Sequence, residues 1–264
     1  MKTSEHIPDH GHDDEEDGRA IAEKYELTRR MMRSKMRRGI SVMISVIALI
    51  AVIAFASVFI KQGSKFAYSE HLDDEVLSLD DTVVSLREFG FYIYEVESFT
   101  QQQARKYNHT DPLDYWNTHF SAGVDSQFIS EMARDAALNA CLGDLVYAHM
   151  AQDAGFVLPD EEKAGIADAV TKWMQEISKE QLEVLGLDET LVRKMVERQT
   201  LAKAYAYEYS READLSGYSG NAAELLSGGG DYFEKELLTK YPMKKNEKLI
   251  EQLKFGRISV NVGE

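Results

Sequence analysis

The sequence predicts a mostly α protein with short strands, in which one transmembrane helix precedes a helical outer domain. Three observations carry this reading. Residues 39–60, GISVMISVIALIAVIAFASVFI, form an unbroken apolar or small run without a charge. At the helical rise such a run covers about 33 Å, enough for a bilayer core of about 30 Å. Beyond it, apolar residues recur at spacings of three and four through several long windows, the mark of amphipathic helices. Glycine, proline and Ser/Asp residues punctuate those windows where helices should end and begin.

The elements follow in order. Residues 1–38 read as an acidic, then basic, cytoplasmic segment. Its first part, MKTSEHIPDHGHDDEEDG, lacks the apolar content that folding needs. His6, His10 and His12 have no spacing that fixes a metal geometry. Before the apolar run stands RRMMRSKMRR, six basic residues and no acid, which orients the N-terminus to the cytoplasm and the remainder outside. AFA at 54–56 has the form of a signal-peptidase site, but the long charged leader and the run's continuation to Ile60 favour an uncleaved anchor. Residues 61–80 read as a linker, and DTVVSL (81–86) as a short strand. From there the outer domain, 81–264, is helical.

Ser85 and Glu88 form the capping-box pattern of a helix start. Leu86, Phe89, Ile93, Val96 and Phe99 then make one apolar stripe to about Lys106, widened by Tyr92 and Tyr94. YNHTDPLDYWN reads as a loop. A second long helix spans about Ser126 to Ala154, with Phe128, Met132, Ala136, Leu142, Leu145, Val146 and Met150 as its buried face. Gly155 should end it in the left-handed conformation, with Phe156 folding back on the last turn. Pro159 suits the next helix start, and Asp160, Glu161 and Glu162 meet its positive dipole end. That helix, to about Ser178, buries Ile166, Val170, Trp173, Met174 and Ile177. EQLEVLGL is a short helix closed by Gly186. Asp188 caps a fourth long helix whose common face holds Leu191, Met195, Ala202, Tyr205 and Tyr209. Residues 211–230 are glycine-rich and read as a loose loop. DYFEKELLTKY forms a final helix, and PMKKNEKLIEQLKFGRISV follows, ending as a short strand.

Composition narrows the function classes. Residues 1–60 balance nine basic against nine acidic side chains, so the outer part, with 21 basic and 36 acidic, carries the whole formal net charge of −15. An acidic face of that strength excludes nucleic acid as a partner and keeps the domain soluble. The single cysteine, Cys141, sits in an apolar helical pattern and reads as a small core residue. No His-Glu-x-x-His pair, nucleophile elbow or phosphate loop occurs. The residues therefore predict no enzyme, no cofactor and no metal. Aromatic clusters stand out instead: FGFYIYEVESF, DYWNTHF and AYAYEY. Tyr92, Phe99, Tyr115, Trp116, Phe120 and Trp173 are the candidate lining of a peptide-binding cleft, since large amphipathic rings accept varied apolar segments.

AHMAQDAGFVLPDEEKAGI resembles the helix–hinge–helix of the SurA/PrsA family of extracytoplasmic folding chaperones. DDTVVSLREFGFYIYEV is similar to that family's opening strand, capped turn and first helix. LGLDETLVRKMVERQTLAKAY resembles its glycine-leucine, acid and long-helix segment, and DYFEKELLTKYPMKKNEKLIEQLKF the segment that returns to complete the chaperone module. The resemblance covers about residues 80–209 and 231–256 and implies a SurA/trigger-factor-like helical chaperone domain. Where many members carry a parvulin prolyl isomerase, only residues 211–230 stand, so isomerase activity is not implied. Cysteine-linked lipid anchoring is absent too, residues 39–60 taking its place. The implied partners are unfolded or exported polypeptides, with the membrane held through residues 39–60; a homo-oligomer is compatible with the sequence. The alternative is a single-pass envelope scaffold that docks one specific partner.

The orientation has a direct test. Protease added outside intact cells should remove residues 66–264 and leave the first 38 protected; digestion of the N-terminal segment alone would invert it.

Overall fold

A tight turn at Asp80 and Asp81, with Asp80 at φ 48°, joins the strands β1 (Glu75–Leu79) and β2 (Thr82–Ser85). In this computed structural model, which describes residues 66–121 and 126–262, chain from Phe66 onward forms a unit of its own. The expected transmembrane helix at 39–60 and the segment 1–38 lie outside the described residues. Among the described residues no helix is long and apolar enough to cross a membrane.

The unit is mostly helical with a few short strands. The expected linker at 61–80 is corrected over its second half. Residues 75–79 are the central strand of a three-stranded antiparallel sheet ordered β2-β1-β3, where β3 is Met243–Lys245. Leu77 pairs with Val84 on one side and Lys245 on the other. Val76, Leu77 and Leu79 are fully buried, because a strand flanked on both edges and covered on both faces reads as a continuous apolar run rather than an alternation. The strand expected at the chain's end is likewise displaced. β3 comes before the helix Glu247–Gln252, and residues 253–262 run irregularly over the core.

Helix α1 (Leu86–Tyr107) starts where the sequence placed it, with the Ser85 hydroxyl accepting from the Glu88 amide at 3.3 Å. The reciprocal half of the capping box is absent. The Glu88 carboxylate instead accepts from Lys194 and, at 3.0 Å, from Arg198. From Phe89 through Tyr94 every residue of α1 is buried, as in a helix enclosed on all sides. Its second half inverts the expected stripe. Phe99 is 65% exposed, whereas Glu97 and Gln101 point inward. Glu97 is wholly buried and accepts from the amides of Gly256, Ile258 and Ser259 and from the Ser259 hydroxyl. Burial still raises its pKa, against the lowering effect of those four donors.

The loop expected at 107–117 contains a short helix, α2 (Pro112–Trp116), capped by Asp111. Helix α3 (Ile129–Asp153) buries Leu142, Leu145, Val146 and Met150 as expected, but in its first turns Ile129, Ala133 and Ala137 are buried while Phe128 and Ala136 are exposed. Gly155 closes it at φ 63°, and the Phe156 amide returns to the Ala151 carbonyl at 2.8 Å, the predicted back-fold. Helices α4 (Asp160–Glu176), α5 (Lys179–Leu185, ended by Gly186 at φ 66°) and α6 (Glu189–Glu212, capped by Asp188) follow their sequence patterns. Residues 213–230 are not loose throughout. They hold α7 (Ala222–Leu225), and Leu225 and Leu226 are buried. Gly228 lies so close to α3 that a Cβ there would overlap the Asn139 carbonyl oxygen. A π-helical turn (Phe233–Leu237) and α8 (Leu238–Lys240) lead to β3, and α9 is Glu247–Gln252.

Replacing Glu97 with alanine leaves three backbone amides and a hydroxyl unpaired in the core. It should cost about 3–5 kcal/mol in urea unfolding followed by tryptophan fluorescence, since Trp116 and Trp173, the only tryptophans, are both buried in this unit. An effect below about 1 kcal/mol would show that the C-terminal segment is held by apolar contacts alone.

Candidate functional site

Helices α3 and α6 pack side by side, and small residues line their seam: Ala140 and Gly143 on α3, Ala202 and Ala206 on α6. Small side chains let the backbones approach but leave space above the contact. The segment around α7 rises on a third side with Ala222, Ala223, Leu226 and Gly228. The Tyr147 hydroxyl donates to the Leu226 carbonyl at 2.7 Å and fixes that wall to α3. A groove of about 720 Å³ results, well within the range of small-molecule and peptide sites. Tyr207, 68% exposed, stands on its rim.

The floor is polar. Asp144, only 9% exposed, lines the groove, and its Oδ2 accepts from the Tyr92 hydroxyl of α1 at 3.1 Å. Burial raises its pKa to about 6, with the Tyr92 and Gln199 hydrogen bonds and the charges of Lys203 and Arg198 acting the other way. Nearby on α1, Glu95 accepts from the Gln199 amide at 3.3 Å, and burial raises its pKa too. Lys203 and Gln199 both line the groove from α6. Beneath, the Cys141 thiol is fully enclosed and burial pushes it up, so it offers no reactive thiolate. Ser210 and Ser227 lie on the groove wall, but none of the lining residues is a histidine that would activate them. Among the described residues no group of three or more His, Cys, Asp and Glu suits a metal ion. Among the residues that line the groove, no nucleophile stands beside a histidine base.

The six aromatic candidates do not meet in one cleft, and three are corrected outright. Tyr92 is fully buried, Trp116 is buried with its Nε1 donating to Gln101 at 2.8 Å, and Trp173 is buried, stacked on Phe91 at 5.1 Å. Rings of this size are worth most when removed from water, and the core took them. Phe99 and Phe120 are exposed on the surface, and Tyr115 is half-buried against Tyr107. None of the six lines the groove; Tyr92 supports it from below through Asp144. Sequence reasoning missed the groove because its walls are alanine and glycine. The available signal was the i, i+3 and i, i+4 spacing of Ala140–Gly143 and Ala202–Ala206 together with an acid, Asp144, inside an apolar helical pattern.

Compared with known proteins, the chain matches no family model, no curated protein and no solved structure.

Asp144 makes stability depend on pH with a defined sign. The native carboxylate takes a proton near pH 6 and the unfolded one only near its ordinary value of 3.8. Between those values the native state binds more protons, so this group's burden grows as pH rises and is relieved on acidification. Asp144→Asn should therefore be more stable than the parent by up to about 3 kcal/mol at pH 7, with the difference shrinking below about 1 kcal/mol by pH 4. Urea midpoints of both proteins across that range measure it; a constant difference would refute the shift.

Proposed function

We propose that the chain is a membrane-anchored, extracytoplasmic chaperone-like protein of the SurA/PrsA type that holds unfolded or exported polypeptides without isomerising prolines. The observation that carries the reading is the groove between α3 and α6: apolar, walled by small residues on three sides and open to solvent. An extended segment enters such a channel without steric selection, and weak, varied contacts suit clients that lose entropy on ordering. Two features support it. Chain from both ends of the unit meets in one sheet, β1 pairing with β3, as the resemblance implies for a returning C-terminal segment. Residues 213–230, where relatives of that type carry an isomerase, hold only the four-residue α7 and a packed glycine turn.

A second reading has its own support. With Tyr92, Trp116 and Trp173 withdrawn into the core, the described residues present the α3–α6 groove rather than a broad aromatic cradle. That suits docking of a single partner segment beside an envelope assembly.

The full-length chain in mild detergent should suppress aggregation of a chemically denatured client at stoichiometric excess, and Ala206→Trp, which fills the groove, should reduce suppression several-fold. No suppression by the parent would reject holding activity. Crosslinking in cells that yields one stoichiometric partner instead of many clients would favour the scaffold.

A further inference from the structure

The groove is lined mainly by apolar and neutral polar residues, and its only charged lining residues are Asp144 and Lys203. Asp144 is nine-tenths buried yet lines the cavity. Lys203, one helical turn along α6 from Gln199, lines the same cavity from an exposed position. Its charge acts favourably on both Asp144 and Glu95, but it forms no close ion pair with either among the described residues. The other groups facing Asp144 are the Tyr92 hydroxyl and Glu95 from α1, Cys141 from its own helix, and Arg198 and Gln199 from α6. Of these Arg198 is already engaged by Glu88 at 3.0 Å, and Gln199 is shared between Glu95 and Asp144. The α7 wall adds no charge to the lining, only Ala222, Ala223, Leu226, Ser227 and Gly228. Asp144 thus has two neutral donors, the Tyr92 hydroxyl and the Gln199 side-chain amide, and no cation in a close ion pair.

We infer that the groove selects polypeptide segments in which a lysine or arginine stands between small or apolar residues, with the basic side chain seated on Asp144 and Lys203 displaced from the lip. This rests on the reading of the groove as a polypeptide site and names what it takes. The geometry of a long basic side chain fits it: the methylenes cover the alanine walls while the charge reaches the floor. A carboxylate that burial leaves under-solvated gains more from a new cation than a solvated one does. The acidic outer surface, 21 basic against 36 acidic side chains beyond residue 60, adds attraction at longer range. Lys203 serves as the resident cation that an incoming one replaces.

Three labelled peptides test this on the full-length chain in detergent at pH 7.5 and near-physiological salt, by fluorescence anisotropy: acetyl-Ala-Leu-Ala-Lys-Ala-Leu-Ala-amide, and the same with norleucine or glutamate for lysine. The lysine peptide should bind at least about fivefold tighter than the norleucine one, in line with a close, partly buried charge pair, and the glutamate peptide weakest. Asp144→Asn should bring the lysine/norleucine ratio to about one, and Lys203→Met should raise it, two effects of opposite sign that damage to the fold would not produce. If none of the peptides binds, the groove is not a polypeptide site and both readings fall. Equal binding of lysine and norleucine peptides leaves the groove reading standing and overturns the charge seat. A lysine preference that survives Asp144→Asn overturns it too, assigning the preference to the acidic surface at large.

Discussion

A carboxylate in a dry interior has to be met by donors, and Glu97 is met only by the last part of the chain. Its four hydrogen bonds come from Gly256, Ile258 and Ser259, about 160 residues later in sequence. Four residues on, Gln101 takes up the Trp116 indole and exchanges hydrogen bonds with Asn261. Gly256 adopts φ 89° there, and a Cβ would come within 2.6 Å of the Trp116 ring. The segment therefore has to return, and it can pass only with glycine at that point. On the sheet side, the pairing of β1 with β3 imposes the same closure. Neither end of the unit can detach without leaving buried polar groups unpaired, a cost of several kcal/mol.

Helix α1 transmits this closure to the groove. Buried nearly all round, it turns a polar group toward a different neighbour at almost every turn: Glu88 to Lys194 and Arg198 on α6, Tyr92 to Asp144 on α3, Glu95 to Gln199 on α6, Glu97 to the C-terminal segment. Apolar packing alone would let three helices slide along one another; these pairs fix their register. The groove's two main walls are the helices so fixed, and its third is pinned by Tyr147 to Leu226 and by the close fit of Gly228. A cavity held open in this way does not collapse onto its small side chains.

How much of this was legible depends on the kind of signal. Helix starts and stops were, because caps are local: Ser85, Asp188 and Gly186 each act within a few residues. β1 was not, although EVLSL-DD-TVVSL shows two apolar runs around a tight turn; the acids at 73–75 made it look like solvated linker, and only its pairing with residues 243–245 explains the burial. The inward turn of Glu97 in place of Phe99 depends on donors from residues 256–259, which no local periodicity can announce. The face of α3 was read correctly from Leu142 onward but one position off in its first turns, for a similar reason: alanine at 133 and 137 carries little hydrophobic weight, yet only residues that small fit where helices lie close. The rings were read as a cleft by their size, which is what drew Tyr92, Trp116 and Trp173 into the core.

Two buried carboxylates show where structure ends and function begins. Glu97 and Asp144 are both nearly inaccessible, and burial raises the pKa of both. Glu97 has four donors, each from a backbone or side chain whose position it determines, so its place is explained by the fold. Asp144 has only side-chain donors, the Tyr92 hydroxyl and Gln199, and an asparagine would close the α1–α3 contact with less unfavourable charge burial. A side chain that weakens a protein at neutral pH, where a neutral residue could make the same contact, has the character of a site residue. Its position at the floor of the open groove, within the influence of the Lys203 charge, is what the proposed seat for a basic side chain rests on.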